Sequence, residues 1–207
     1  MITLYHRPGT CALAPWLALE EARADYRCVD VSAEPELLAS LNPRGKVPVL
    51  DTGDGLLVEN VAILTYIART YPDAQLMPAD PLQQARCLST LAWFASTLHI
   101  DYRRFLKPQV YSGQEAAHAA ISARGGSDYK RDLDELDAIL AQGPWVQGAA
   151  FTVADLHALV FVGWAVKSDL YDAGRRNLHR WTHRTLQRPA IQRVLQGSSH
   201  PLLRLLD

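Results

Sequence analysis

The sequence predicts an α/β unit of order βαβαββα followed by a wholly helical region. Three observations carry that prediction. Short apolar runs alternate with segments of helical period as far as Tyr71. Residues Pro72–Pro81 then bring three prolines and few periodic apolar positions. Beyond them the apolar spacing is helical throughout. The expected division is a first domain at 1–76, a linker at 77–83 and a helical domain at 84–207.

Each element follows from its residues. Ile2–Tyr5 reads as a short buried strand, and the turn Pro8-Gly9 leads to a helix from Cys11 to Arg23 with Leu13, Trp16, Leu17 and Leu19 at helical spacing. Tyr26–Val31 is an apolar and aromatic strand. The short helix Pro35–Leu41 stops at Asn42-Pro43, because proline disfavours helical geometry in the residue before it. Val47–Leu50 and Leu56–Val58 form two strands about the turn Asp51-Thr52-Gly53-Asp54-Gly55. A helix from Asn60 to Tyr71 closes the unit.

Within the helical region a single long helix covers Pro81–Lys107 and ends at Pro108. Gln114–Arg124 and Asp128–Gln142 are helical, separated by Gly125-Gly126-Ser127 as a break or a kink. A helix from Thr152 to Ser168 has the clearest start, with Thr152 as cap and Asp155 reaching back to the cap's N–H. Phe151 and Leu156 occupy the positions of a hydrophobic staple. Arg175–Gln196 is helical with an interruption near Pro189.

Composition sets outer bounds. With 207 residues, 48% hydrophobic and 21% charged, the chain has the make-up of a globular protein with a proper core. A formal net charge of −1 gives no electrostatic reason to expect nucleic acid or an acidic membrane as partner. No apolar run reaches the roughly 20 residues that span a bilayer. The N-terminus lacks a basic n-region and His6-Arg7-Pro8 breaks its apolar run, so no secretory signal is visible. Three cysteines, Cys11, Cys28 and Cys87, argue against a disulfide framework and suit a reducing cytosol, so a cytoplasmic location is expected. His179 and His183 stand at i, i+4 without an acidic third ligand, and no metal is expected. Arg176, Arg180, Arg184 and Arg188 read as a solvated stripe beside the acidic Asp132, Asp134, Glu135 and Asp137.

The chemistry centres on Cys11. A thiol at a helix start feels the partial positive charge and unpaired N–H groups of the first turn, and both favour the reactive thiolate. The competing reading is a small buried apolar residue opening a helix. Cys11-Ala12-Leu13-Ala14 lacks the second cysteine of a dithiol motif. The Val47-Pro48 bond is either an ordinary trans proline opening an edge strand or a cis proline. Glu59-Asn60 lies at a helix start, where free N–H groups bind a carboxylate; simple capping plus a solvated acid is the alternative.

Four features in one order, Leu4-Tyr5…Cys11, Asn42-Pro43-Arg44-Gly45-Lys46-Val47-Pro48-Val49-Leu50, Leu57-Val58-Glu59-Asn60-Val61-Ala62-Ile63-Leu64 and the cap at Phe151–Asp155, resemble the cytosolic glutathione transferases, most closely their bacterial beta class. The resemblance covers nearly the whole chain. It implies a thioredoxin-like N-terminal domain, an all-helical C-terminal domain, a homodimer, and an active site in the domain cleft. It further implies glutathione as co-substrate and a small hydrophobic electrophile as second substrate. It makes Val47-Pro48 cis, with the Val47 backbone pairing with the peptide as an added strand. Glu59 would take the ligand's ammonium group and Asn60 the γ-glutamyl carboxylate through the backbone. His99 matches a beta-class position where a histidine faces the sulfur, as hydrogen-bond donor or as proton carrier near neutral pH; a satisfied core or interface histidine is the competing view. Thr10 can supply a hydroxyl to the same sulfur. Tyr5 sits where other classes use a tyrosine hydroxyl, and is read as packing or secondary support.

Two departures are visible. Val31–Leu41 contains no Lys or Arg for the glycyl carboxylate, leaving Arg44 or Lys46 as substitutes. Gly163-Trp164 replaces the Arg-Trp of beta-class relatives, which implies a lighter, less charged pocket beside Trp164 for the electrophile. The expected activity is conjugation of the glutathione thiolate to that electrophile, with thiol transfer through a mixed disulfide or peroxide reduction as side activities. The alternative is a non-catalytic binding or assembly module.

Overall fold

A computed structural model of the chain describes residues 1–198 and 200–206. Alternation along the first strand decides the layering of the first half. In β1 (Ile2–His6), Ile2 and Leu4 point into the main core, while Tyr5 points to a smaller cluster with Val31, Leu38 and Val49. The main core is built with α1 (Leu13–Glu21) and α3 (Asn60–Thr70); the small one lies under α2 (Pro35–Leu41).

With β2 (Tyr26–Asp30), β3 (Val49–Asp51) and β4 (Leu56–Val58), the sheet has the order β2-β1-β3-β4. β1 pairs parallel with β2, Ile2 opposite Tyr26, and α1 is the crossover helix that such a pair requires. β1 pairs antiparallel with β3, Leu4 opposite Leu50, and β3 antiparallel with β4, Val49 opposite Val58. The first half is therefore the expected βαβαββα unit, a thioredoxin-like mixed sheet.

The second half is helical. α4 (Pro81–Trp93) passes through a π-helical turn, Phe94–Leu98, into α5 (His99–Leu106). α6 (Glu115–Leu140), α7 (Val153–Lys167), α8 (Arg176–Leu186) and α9 (Pro189–Gln196) follow. α4 begins at Pro81, so residues 81–83 are helix and the connection ends before them.

The break expected at Gly125-Gly126-Ser127 is absent, and α6 runs through it. A Cβ on Gly125 would lie 2.5 Å from the Phe105 backbone nitrogen and 2.8 Å from the Asp101 carbonyl oxygen. The glycine is there to let α6 lie against α5, not to end a helix.

α7 is buried from Val153 to Val166, as befits a helix apolar on every side. Its capping box is formed: Asp155 Oδ2 accepts from Thr152 N at 2.8 Å, and Thr152 Oγ1 accepts from Ala154 N at 3.2 Å. Asp155 Oδ1 also accepts from Val146 N at 2.9 Å and Trp181 Nε1 at 2.8 Å, which ties α8 to the same carboxylate.

The arginine stripe on α8 is only partly solvated. Arg188 holds Glu21 of α1 through two bonds of 2.6 and 2.8 Å, and Arg184 donates to Pro144 O at 2.8 Å. The acidic residues of α6 act on the start of α8, where Asp137 Oδ1 accepts from Asn177 N and Leu178 N, each at 2.8 Å. No described helix is long and apolar enough to cross a membrane.

Candidate active site

Cys11 lies in the turn between β1 and α1, before the helix cap Ala12. Its Sγ donates towards Val47 O at 3.8 Å, across the cleft from the Val47–Pro48 peptide, which is cis. Burial pushes the thiol up to about 11, outweighing hydrogen bonds and the Lys46 charge, which favour the anion. The thiolate expected from the helix end is therefore not held here: at neutral pH Cys11 is a neutral thiol. Desolvation of the sulfur is stronger than the pull of the first turn.

Glu59 caps α3 with φ 72° and ψ 127°, a backbone conformation uncommon for a residue with a side chain. Its carboxylate is exposed and meets Arg44 Nη1 at 3.0 Å. Asn60 is not the cap that the sequence suggested; it is the first residue of α3 and makes no side-chain cap bond. Its Nδ2 instead donates to Cys11 O at 3.1 Å and approaches His157 Nε2 of α7 at 3.4 Å. One amide thus ties the thiol-bearing turn to the central helix of the second half.

His99 follows the π-helical turn as the first residue of α5. Burial, then the charges of Arg103 and Lys46, pull it down to about 4. It is a neutral imidazole near neutral pH, which does not suit the proton-carrier role. The charges of Lys46 and Glu59 bear on both Cys11 and His99. Trp164 closes that region: its ring lies edge-on to His99 at 5.1 Å, stacks on Tyr102 at 4.7 Å, and donates Nε1–H to Gly9 O at 3.0 Å.

Known proteins share this sequence pattern and fold. Residues 1–69 match the model of the glutathione S-transferase N-terminal domain, and residues 119–184 that of the C-terminal domain. A glutathione S-transferase of Xanthomonas campestris is 30% identical over 202 residues, covering 94% of this chain and 97% of its own. The chain belongs to the glutathione S-transferase family. Among solved structures, a sphingomonad glutathione S-transferase complexed with glutathione has a TM-score of 0.85 at 32% identity, covering 95% of this chain and 98% of its own. A bacterial beta-class enzyme from Sphingomonas chungbukensis has 0.85 at 31%, with the same coverage.

Within this transferase the remaining expected site residues separate. Thr10 spends its hydroxyl on the turn: Oγ1 donates to Arg7 O at 2.7 Å and accepts from Ala12 N at 3.4 Å, so its proton is not available to a sulfur. Tyr5 lies on the α2 side of the sheet and packs against Val31, Leu38 and Val49, which fits the packing role. Arg44 is engaged by Glu59, whereas Lys46 is exposed and has no carboxylate within 4.0 Å among the described residues. Gly163 does not leave open space: a Cβ there would lie 2.8 Å from His200 Cε1, so residues 200–202 fill it. Nor is the neighbouring pocket poor in charge, because Arg7 and Lys167 line it. Among the described residues no group of three or more His, Cys, Asp or Glu is placed to hold a metal ion.

Sequence reasoning missed the transferase's His157. It stands between apolar neighbours in Leu156-His157-Ala158, and a buried polar residue that the Thr152–Asp155 cap does not account for, in so apolar a helix, is the signal that points to it.

Proposed function

We propose that the chain binds reduced glutathione in the cleft between Cys11, Val47 and Glu59 and adds its sulfur to small hydrophobic electrophiles held near Trp164. One observation carries this reading: a neutral, buried Cys11 thiol aimed across the cleft at Val47 O, 3.8 Å away, with the Lys46 charge bearing on both it and a neutral His99. A sulfur anion entering there meets two uncharged donors and a positive charge, and these lower the pKa of the bound thiol. Cys11 and His99 act as donors to that anion. Val47 aligns the peptide backbone beside Pro48. The free N–H groups at the start of α3, from Asn60 on, take the γ-glutamyl carboxylate, and Glu59 takes the ammonium. Lys46 takes the glycyl carboxylate, since Arg44 is already paired.

Residues 1–76 are then the glutathione-binding half, joined by 77–80 to the helical half that starts with α4 at Pro81 and carries the electrophile site. Conjugation is favoured over thiol transfer or peroxide reduction through Cys11, because a thiol pushed to about 11 is a poor nucleophile at neutral pH. Family membership supports a homodimer, and three free cysteines suit a reducing cytoplasm.

The test joins retention on immobilised glutathione to turnover of chlorodinitrobenzene. The wild type is expected to bind and react, and Cys11→Ala and His99→Ala each to lose about tenfold or more in kcat while still binding glutathione. Retention with no turnover of this or other electrophiles overturns the enzyme reading in favour of a binding or assembly module.

A further inference from the structure

A cavity of about 400 Å³ opens between the 7–10 turn, α1, the end of α7 and residues 197–201. It shares Gly9, Thr10 and Trp164 with the candidate site, while Cys11, His99, Val47 and Glu59 do not line it. Its volume exceeds the ~150 Å³ that holds a benzene ring. The walls are apolar, with Leu13, Trp16, Trp164 and Pro201.

Set into those walls are two basic side chains, Arg7 and Lys167, and no acid. Lys167 Nζ stands 3.7 Å from the Cβ position of Gly9, at the turn that carries Cys11. Arg7 Nε is buried and has no hydrogen-bond partner among the described residues. Neither cation has a carboxylate within 4.0 Å among the described residues; Asp30, the acid that feels Arg7, spends Oδ1 on Ser32 N and Oγ. His200, also in the wall, is pulled down to about 4 by burial and by Lys167, so it adds a polar edge and no charge. A buried guanidinium nitrogen without a partner is costly unless an acceptor meets it, and the exposed ammonium of Lys167 adds a second basic group to the same wall.

We propose that this cavity receives the electrophile and, through Lys167 and Arg7, selects electrophiles that carry an acid group on a flat apolar body. The acid lies between the two cations and the ring against Trp16 and Trp164. This rests on the conjugation reading, and it names the substrate class of that site.

The test uses two matched pairs on the intact protein. Chloronitrobenzoate and its methyl ester report turnover; nitrobenzoate and nitrobenzamide, which do not react, report binding by quenching of tryptophan fluorescence. The wild type is expected to bind nitrobenzoate at least tenfold more tightly than nitrobenzamide and to show a KM for chloronitrobenzoate at least tenfold below that for the ester. Lys167→Met, which keeps the aliphatic stem of an exposed side chain, removes most of both differences and leaves the KM for glutathione unchanged; Arg7→Met acts in the same direction. Nitrobenzoate competes with chloronitrobenzoate and not with glutathione. Equal binding of acid and amide, an acid preference that survives both substitutions, or acid binding without such competition overturns the proposal. If neither chlorinated compound reacts while chlorodinitrobenzene does, the electrophile assignment falls and the conjugation reading stands; if none of the three reacts, both fall, and the fluorescence pair separately decides whether the cavity selects acids.

Discussion

Burial sets the protonation of both polar groups nearest the candidate sulfur site. It pushes the Cys11 thiol up to about 11 and pulls His99 down to about 4, so near neutral pH both are uncharged. A raised thiol pKa means that Cys11 contributes stability below its ordinary value of 9.0, lost as pH climbs through about 11. The same raised value makes the thiol slow to alkylate. In a Cys28→Ser, Cys87→Ser background, iodoacetamide should label Cys11 about tenfold faster per pH unit with no plateau below about pH 10. A plateau near neutrality would show a thiolate and remove the donor role given to this residue. Cys11, Val47 and Glu59 were legible as candidates from local turn and helix-start signals, and His99 only through the resemblance to beta-class transferases. Their charge states were not, because desolvation comes from α3, α5 and α7, which lie far away in the chain.

Helix α5 carries His99, and its place depends on how closely α6 lies against it. Gly125 permits that approach: a Cβ there would meet the Phe105 nitrogen at 2.5 Å and the Arg104 Cβ at 2.7 Å, neither of which can swing away. Gly126 differs, since its Cβ would meet only the Phe105 ring, at 3.1 Å. Gly125→Ala should cost about 1–3 kcal/mol in urea unfolding and lower turnover by displacing α5. Gly126→Ala should stay near neutral, the gain in helix propensity of about 1 kcal/mol offsetting a ring that can shift. Equal effects from the two would mean that helix propensity, not contact, governs the pair.

The glycine pair also shows what periodicity cannot supply. Two glycines and a serine cost helix propensity, so the sequence reads as a break; the close contact that outweighs the cost is visible only once α5 and α6 are side by side. The π-helical turn before His99 is silent for the same reason. By contrast, the strands, α2 and the cap of α7 were legible from local signals, the last through Thr152 and Asp155.

Across the whole molecule the two halves share one continuous core, reinforced by Val153 N donating to Leu76 O at 2.9 Å and by the Arg188–Glu21 pair. His157 sits at that junction, pulled down to about 3 by burial and, secondarily, by His99. A histidine whose folded pKa is depressed contributes stability that is present above its ordinary value of 6.5 and lost as pH falls towards about 3, because the unfolded chain takes the proton first. His157→Leu removes that penalty and also the approach to Asn60. The variant should be the less stable protein near neutrality, and its deficit in urea unfolding should shrink by about 1.4 kcal/mol per unit between about pH 6 and about pH 4. Asp155, raised to about 6 by burial, acts in the opposite direction but is present in both proteins and cancels. A deficit that does not change with pH would show that His157 carries its proton in the folded state.

The single amide of Asn60, strung between the Cys11 carbonyl and His157, bears on how such chains can be recombined. A chimera that joins this sheet-bearing half to a relative's helices would retain Val47, Glu59 and Cys11 unaltered. The Asn60–Cys11 bond would survive, but unless the donor helix offered that amide a polar partner of similar reach, the thiol's turn would no longer be tied to the helical half.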